Sequence, residues 1–155
     1  MNLFKAKGQT DKVILDATKG IDDDMTTRFI CTYAYASGSV SKQSDGSYRA
    51  YYNAGGGASG GWYKLTLPTG FKGIEMRCRD SRQGGSIKIY ANSSSGTVLF
   101  ASTGDGPKTN VVPDINYSDE TGVTAIYINL GGWYREGVDA GQISYVTFNY
   151  IKCLR

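Results

Sequence analysis

The sequence predicts an all-β protein, an antiparallel sandwich or barrel, on three observations. Short runs alternate apolar and polar residues, Gly- and Asp-rich turns cut them at close intervals, and helical periodicity is absent apart from a weak trace at 21–28. The composition agrees, because 21 glycines and 12 tyrosines among 155 residues favour turns and strands over helices. That length is one domain's worth, here 1–155, and suffices to bury a core without disulfide or metal staples.

Each run has its own warrant. Lys12–Asp16 (KVILD) is a short apolar run that ends before Lys19-Gly20. Arg28–Tyr35 is the most apolar early segment. Tyr48–Asn53 follows Ser44-Asp45-Gly46, where Asp-Gly supplies the positive φ of a tight hairpin turn. Trp62–Leu67 stops at Pro68, which cannot donate to a ladder. Phe71–Arg79 and Ser86–Ala91 are separated by a polar turn at 80–85. In the second of these, Ile87 and Ile89 point to one face while Lys88 and Tyr90 point to the other. Val98–Ala101, Val123–Leu130 and Ile143–Ile151 complete the set. The Gly-rich stretch 53–62 is too short for a linker and reads as a loop between strands.

Charge and cysteine content exclude whole classes. Seventeen basic and 14 acidic residues, interspersed and netting +3, give no ground for a nucleic-acid partner. No stretch approaches the ~20 apolar residues of a membrane helix, so no membrane insertion is expected. The opening MNLFKAKGQTDK has no signal-peptide core. Cys31, Cys78 and Cys153 have neither CxxC spacing nor a His partner. They read as three buried free thiols, with one disulfide plus a spare thiol as the alternative, and not as a zinc site.

Catalysis finds little support. With no His, the Ser/His and Cys/His nucleophile pairs are ruled out. A carboxylate pair could still hydrolyse glycosides, but nearly all the acids stand beside Gly, Pro or Ser, where solvated turns belong. Asp22-Asp23-Asp24 lacks the alternate spacing of a calcium loop and reads as a solvated loop or helix N-terminus. Gly55–Gly61 is no phosphate loop, since Trp62 starts a strand where a helix would be needed. Arg77 and Arg79 share a strand face and, with Arg82 and Arg135, could hold an anion; mixed surface charge is the preferred reading.

The aromatic residues are the informative group. Tyr48, Tyr51, Tyr52, Trp62 and Tyr63 flank one glycine loop, and Trp133 with Tyr134 occupies another. Rings in Gly-flanked loops are badly placed to fill a core, and a flat ring suits the face of a sugar. Alternation sends one of Tyr51 and Tyr52 inward and the other outward. Trp62, opening a strand, is expected in the core.

The ordered set GGWYKLTLPTGFKGIEMRCRD, GGSIKIYANSSSGTVLFAS, TGVTAIYINLGG and QISYVTF resembles family 6 carbohydrate-binding modules and their galactose-binding-like relatives. The resemblance covers roughly Tyr48–Ile151. It implies a galactose-binding-like jelly-roll sandwich that binds glycans without catalysis, in loops at one end or on a concave face. It further implies Tyr51 or Tyr52 as a ring that stacks on sugar, Trp133 or Tyr134 as a second ring, and Asn53, Asp105 and Gln142 as partners for the hydroxyls. The chain departs from the family at Gly61-Trp62, which lacks the family's Asp, at 103–107, which carry no ring, and at Gln142, where the family has Asn. Asp16 and Ser144 stand where the family has calcium ligands. That departure puts a structural Ca2+ in question and leaves Asp16 as its candidate residue.

A lone module of this kind, starting at Met without a signal, fits a phage tail or fibre protein made in a host cytoplasm and acting at a cell surface. The alternative is a structural or decoration protein of a virion, in capsid or tail. Its aromatic surfaces would then contact other virion proteins or a second copy in a homo-oligomer.

Overall fold

A computed structural model describes residues 10–35, 37–53, 60–82, 86–102, 111–131 and 143–155. The elements run β1 Lys12–Asp16, β2 Ile21–Asp22, α1 Met25–Arg28, β3 Phe29–Ala34, β4 Ser37–Lys42, β5 Tyr48–Asn53 and β6 Gly60–Thr66. They continue β7 Gly73–Arg82, β8 Ser86–Ala91, β9 Thr97–Ser102, β10 Ile115–Ser118, β11 Ala125–Gly131 and β12 Ile143–Leu154. They form two antiparallel sheets. The smaller has the order β3-β6-β11-β8-β9. The larger has the order β10-β7-β12-β1-β2, with β5 pairing both β12 and β4. The predicted sandwich is the observed fold.

Strand β12 holds the larger sheet together. Along one edge it pairs β7 over Tyr145–Leu154; along the other it pairs β5 through Ile143–Phe148 and then β1 through Tyr150–Cys153. Between the sheets lies the core. The larger sheet contributes Leu15, Tyr48, Tyr52, Met76, Val146, Phe148 and Ile151, and the smaller Phe29, Tyr63, Leu65, Ile87, Ile89, Ile126 and Ile128. Phe29 and Phe148 meet across the gap with ring centroids 6.1 Å apart. Each such buried side chain contributes about 1.5–3 kcal/mol of burial free energy.

Two glycines are fixed by geometry. Gly46 has φ +89° in the β4–β5 turn, where the Asp45 carboxylate accepts from the Ser47 N–H and hydroxyl. Gly38 lies so close to the Tyr63 hydroxyl that a Cβ there would come within 2.8 Å of it.

Three local expectations change. β4 (SGSVSK) and β10 (INYS) were not visible as strands, because β4 is polar on both faces and each is short. The polar segment Asp80–Arg82 continues β7 instead of turning, paired to β12 through bulges at Thr147/Phe148 and Phe148/Tyr150. All three cysteines are free, but only Cys153 is fully buried; Cys31 and Cys78 are half-buried at the core margin. Burial pushes the Cys153 thiol up to about 11 and the Cys78 thiol up to about 12.

The acidic triplet caps and ties the start of α1. Asp24 takes the left-handed conformation (φ 54°) ahead of the helix. Asp22 accepts from the Tyr48 hydroxyl (2.6 Å), the Lys42 ammonium (2.7 Å) and the Met25 N–H (3.2 Å). Burial opposes ionisation of Asp22, but the bonds from Lys42, Tyr48 and Met25 outweigh it and hold the carboxyl below its usual range.

Losing the Tyr48 bond in Tyr48→Phe should cost about 1 kcal/mol at neutral pH, and Asp22→Asn a similar amount. The Asp22 contribution is complete above the unfolded carboxyl value near ~4 and is lost as pH falls through the lower folded value. Urea midpoints of the wild type and Asp22→Asn should therefore differ at neutral pH and converge in strong acid.

Candidate functional site

The alternation that fills the core dictates what the outer face of the smaller sheet carries. In β6, Gly61, Tyr63 and Leu65 are buried, so Trp62 and Lys64 stand outward, half-buried. β11 buries Ile126, Ile128 and Leu130 and turns Tyr127 and Asn129 out. β8 buries Ile87 and Ile89 and turns Lys88 and Tyr90 out, as the sequence predicts.

Register then sets the neighbours. Tyr33, Trp62, Asn129 and Lys88 form one row across four strands, and Ile30, Lys64, Tyr127 and Tyr90 form the next. At ~4.8 Å between strands, such a row is about 14 Å wide. The Trp62 and Tyr90 rings meet across the rows with centroids 5.9 Å apart and planes tilted by 35°. Lys64 Nζ lies 5.4 Å from the Tyr127 ring centroid. Asn129 Nδ2 donates to the Gly61 carbonyl at 3.1 Å. Among the described residues, the Trp62 indole N–H, the Tyr90 and Tyr127 hydroxyls and both ammonium groups have no hydrogen-bond or ion-pair partner. Together they form a ring platform bordered by polar groups, a surface suited to stacking on a ring-shaped ligand.

The sequence pointed elsewhere. Trp62 was expected in the core, but Tyr63 takes that place, because its hydroxyl reaches the Tyr51 carbonyl of the opposite sheet. The platform residues Trp62, Lys64, Lys88, Tyr90, Tyr127 and Asn129 were not singled out as a site. Their signal was the shared two-residue spacing in WYK, KIY and YIN.

Of the residues implied by the resemblance, Tyr52 is corrected: it is completely buried and has no ring face to offer. Tyr51 and Asn53 are half-buried on the outer face of the larger sheet, so they share no face with Trp62. Asp105, Trp133, Tyr134 and Gln142 lie outside the described residues. Tyr51 pairs in register with Ser39 and Tyr145, and Tyr145 with Arg82.

Beside them is a groove of about 460 Å³, lined by Gln43, Asp45, Arg49, Arg79, Asp80 and Thr147 among others. Its charges are already engaged. Arg49 Nε donates to Thr147 Oγ1 (2.9 Å), its guanidinium covers the Tyr145 ring at 4.4 Å, the Tyr145 hydroxyl donates to Asp80 (3.0 Å), and Arg79 pairs with Asp45. Burial and the Asp80 contact raise the Tyr145 pKa. A ligand here would have to displace existing ion pairs, and it would find the Tyr145 ring covered. Arg77, on the same face, pairs with Glu75 at 2.7 Å, in line with mixed surface charge.

Asp16, the calcium candidate, accepts from the Thr18 hydroxyl (2.7 Å) and N–H (3.1 Å) in a local turn. No group of three or more His, Cys, Asp or Glu able to hold a metal occurs among the described residues.

Comparison with solved structures bears on the fold. A mutant of a family 29 carbohydrate-binding module superposes with a TM-score of 0.52 at 12% identity, covering 93% of this chain and 91% of that one. A second family 29 mutant gives 0.51 at 12% identity over 93% and 85%. The chain shares its fold with carbohydrate-binding modules. A low-affinity xylan-binding module of family 86 from Roseburia intestinalis aligns at 15% identity over 92% and 93%, with a TM-score of 0.47. No protein-family model matches the sequence, and no curated protein matches it.

The placement of Trp62 outside and Tyr63 inside has a direct check in stability. Tyr63→Ala should cost ~3–5 kcal/mol, as for other large buried rings. Trp62→Ala should cost no more than about 2 kcal/mol. Chemical unfolding of both variants reads the difference.

Proposed function

We propose that the protein is a non-catalytic glycan-binding module and that the outer face of the smaller sheet is its binding surface. The Trp62–Tyr90 ring pair beside Tyr127 carries this reading, set on a fold that carbohydrate-binding modules share. Sugar rings expose C–H faces that pack against aromatic planes, and hydroxyl-rich edges that need polar partners. The rings supply the first contact; Asn129, Lys64 and Lys88 supply the second. One ring contributes ~1 kcal/mol beyond its buried area. Single-site binding is therefore weak, and firm attachment needs several copies acting together. A phage tail or fibre meeting cell-surface glycans is a setting in which such copies would be supplied, and it forms part of the proposal.

A second reading makes the chain a structural or decoration protein of a virion. The exposure of Ile30 (45%), Tyr33 (58%) and Tyr35 (62%) on and after edge strand β3 favours it, since interfaces are enriched in such residues.

A broad glycan array, run with and without calcium, separates the two. The glycan reading expects specific hits that are unchanged by chelation and weakened about five- to tenfold by Trp62→Ala or Tyr90→Ala. A blank array with folded protein, together with concentration-dependent oligomers in solution, would replace it with the assembly reading.

A further inference from the structure

The charge on the proposed face says more about its ligand. Resting on the glycan-binding reading, we infer that the glycan is anionic. Its carboxylate or sulfate groups pair with Lys64 and Lys88, while Trp62, Tyr90 and Tyr127 pack against its rings.

The first observation is the distribution of acids. The five strands of the smaller sheet read FICTYA, GGWYKLT, SIKIYA, TVLFAS and AIYINLG, with no Asp or Glu in any of them. Every carboxylate among the described residues lies on a strand of the larger sheet or in a segment flanking a strand.

The second observation is the state of the lysines. Elsewhere, Lys12 pairs with Asp23 at 3.0 Å, Lys42 with Asp22 at 2.7 Å, Lys72 with Glu120 at 3.4 Å and Lys152 with Glu75 at 4.0 Å. Among the described residues Lys64, Lys88 and Lys19 have no such partner, and Lys19 lies in the turn after β1, so Lys64 and Lys88 are the unpaired lysines carried on a strand. They stand two strands and one row apart, which separates their Cα atoms by about 12 Å on a diagonal across the rings.

The third is the balance of donors and acceptors. Neutral sugar hydroxyls donate as well as accept, so a face that binds them well supplies acceptors, and carboxylates are the strong ones. This face offers mainly donors: two ammonium groups and an indole N–H. Its described acceptors are neutral, the Asn129 carbonyl and the phenol and hydroxyl oxygens. The charged oxygens of a uronate carboxylate or a sulfate ester only accept, which matches that supply. Two ammonium groups in the same field also favour a repeating anion over an isolated one.

The test compares matched polysaccharides: dextran with dextran sulfate, and polygalacturonate with its methyl ester. Each is titrated at low and high salt against wild type, Lys64→Gln, Lys88→Gln, Trp62→Ala, and the control Lys72→Gln. The control removes the same charge from the segment just ahead of β7, which belongs to the larger sheet.

The expected result is binding to at least one charged polymer well above its neutral counterpart, reduced by salt. Each platform lysine substitution should weaken it about two- to fivefold. Lys72→Gln should leave it unchanged, and Trp62→Ala should weaken it about five- to tenfold. Which charged polymer binds tells a carboxylate ligand from a sulfate one.

Equal binding of charged and neutral polymers, sensitive to Trp62→Ala but not to the lysines, would overturn the anionic assignment and leave glycan binding standing. Equal weakening by Lys72→Gln would also overturn it, as non-specific charge attraction. Binding to none of the polymers, on a protein whose glycan array is also blank, would remove both readings. Preference for a single-stranded oligonucleotide would overturn it as well, and make the rings a base-stacking surface.

Discussion

A strand in a sheet with one face to the core buries alternate residues, and much of the structure follows from which set β6, β8 and β11 bury. In β6 the choice lies between Tyr63 and Trp62, neighbours of similar bulk and opposite direction. Tyr63 is anchored inside by its bond to the Tyr51 carbonyl, and Gly38 and Gly61 leave room for its hydroxyl. A slip of one residue would exchange the two faces along the whole strand. It would bring Lys64 into the core with Trp62, at a cost no packing could recover. The ladders to β3 and β11 carry the same parity outward, so the direction of one tyrosine is tied to the direction of the platform rings.

The two outer faces solve the surface problem in different ways. On the larger sheet, Arg49, Asp80, Tyr145, Arg79 and Asp45 engage one another, so their charges are largely spent inside the fold. On the smaller sheet, the rings and ammonium groups touch one another, but the indole N–H, the Tyr90 and Tyr127 hydroxyls and both ammonium groups have no hydrogen-bond or ion-pair partner among the described residues. A face whose polar groups are already satisfied gains little from a ligand. A face whose polar groups have no internal hydrogen-bond partner can bind a ligand without breaking internal bonds.

Much of the fold was legible because burial writes itself as alternation. Lys12–Asp16, Tyr48–Asn53 and Ser86–Ala91 were readable to the residue, each having a turn or breaker close by. β4 was not, since SGSVSK offers a single half-buried apolar residue, Val40, and depends on β5 for its conformation. The site was harder. Propensity puts a strand tryptophan in the core, and only the tertiary choice of Tyr63 sends Trp62 out. The resemblance points to loops and to Tyr52, which packing claims entirely. Which rings share a face depends on strand order, and no local spacing in the sequence encodes that β6, β11 and β8 are neighbours.

The position of β12 has a consequence for how the molecule assembles. It is the last strand in chain order, yet it is the common partner of β1, β5 and β7. Until it arrives, those three strands have no shared neighbour, and the larger sheet exists only as fragments with open edges. Closure joins residues far apart in the sequence, such as Lys12 and Cys153, and must overcome the entropy of closing the long loop between them. Folding is thus expected to be slow and to complete late, with the unpaired edges of β5 and β7 the most adhesive part of the nascent protein.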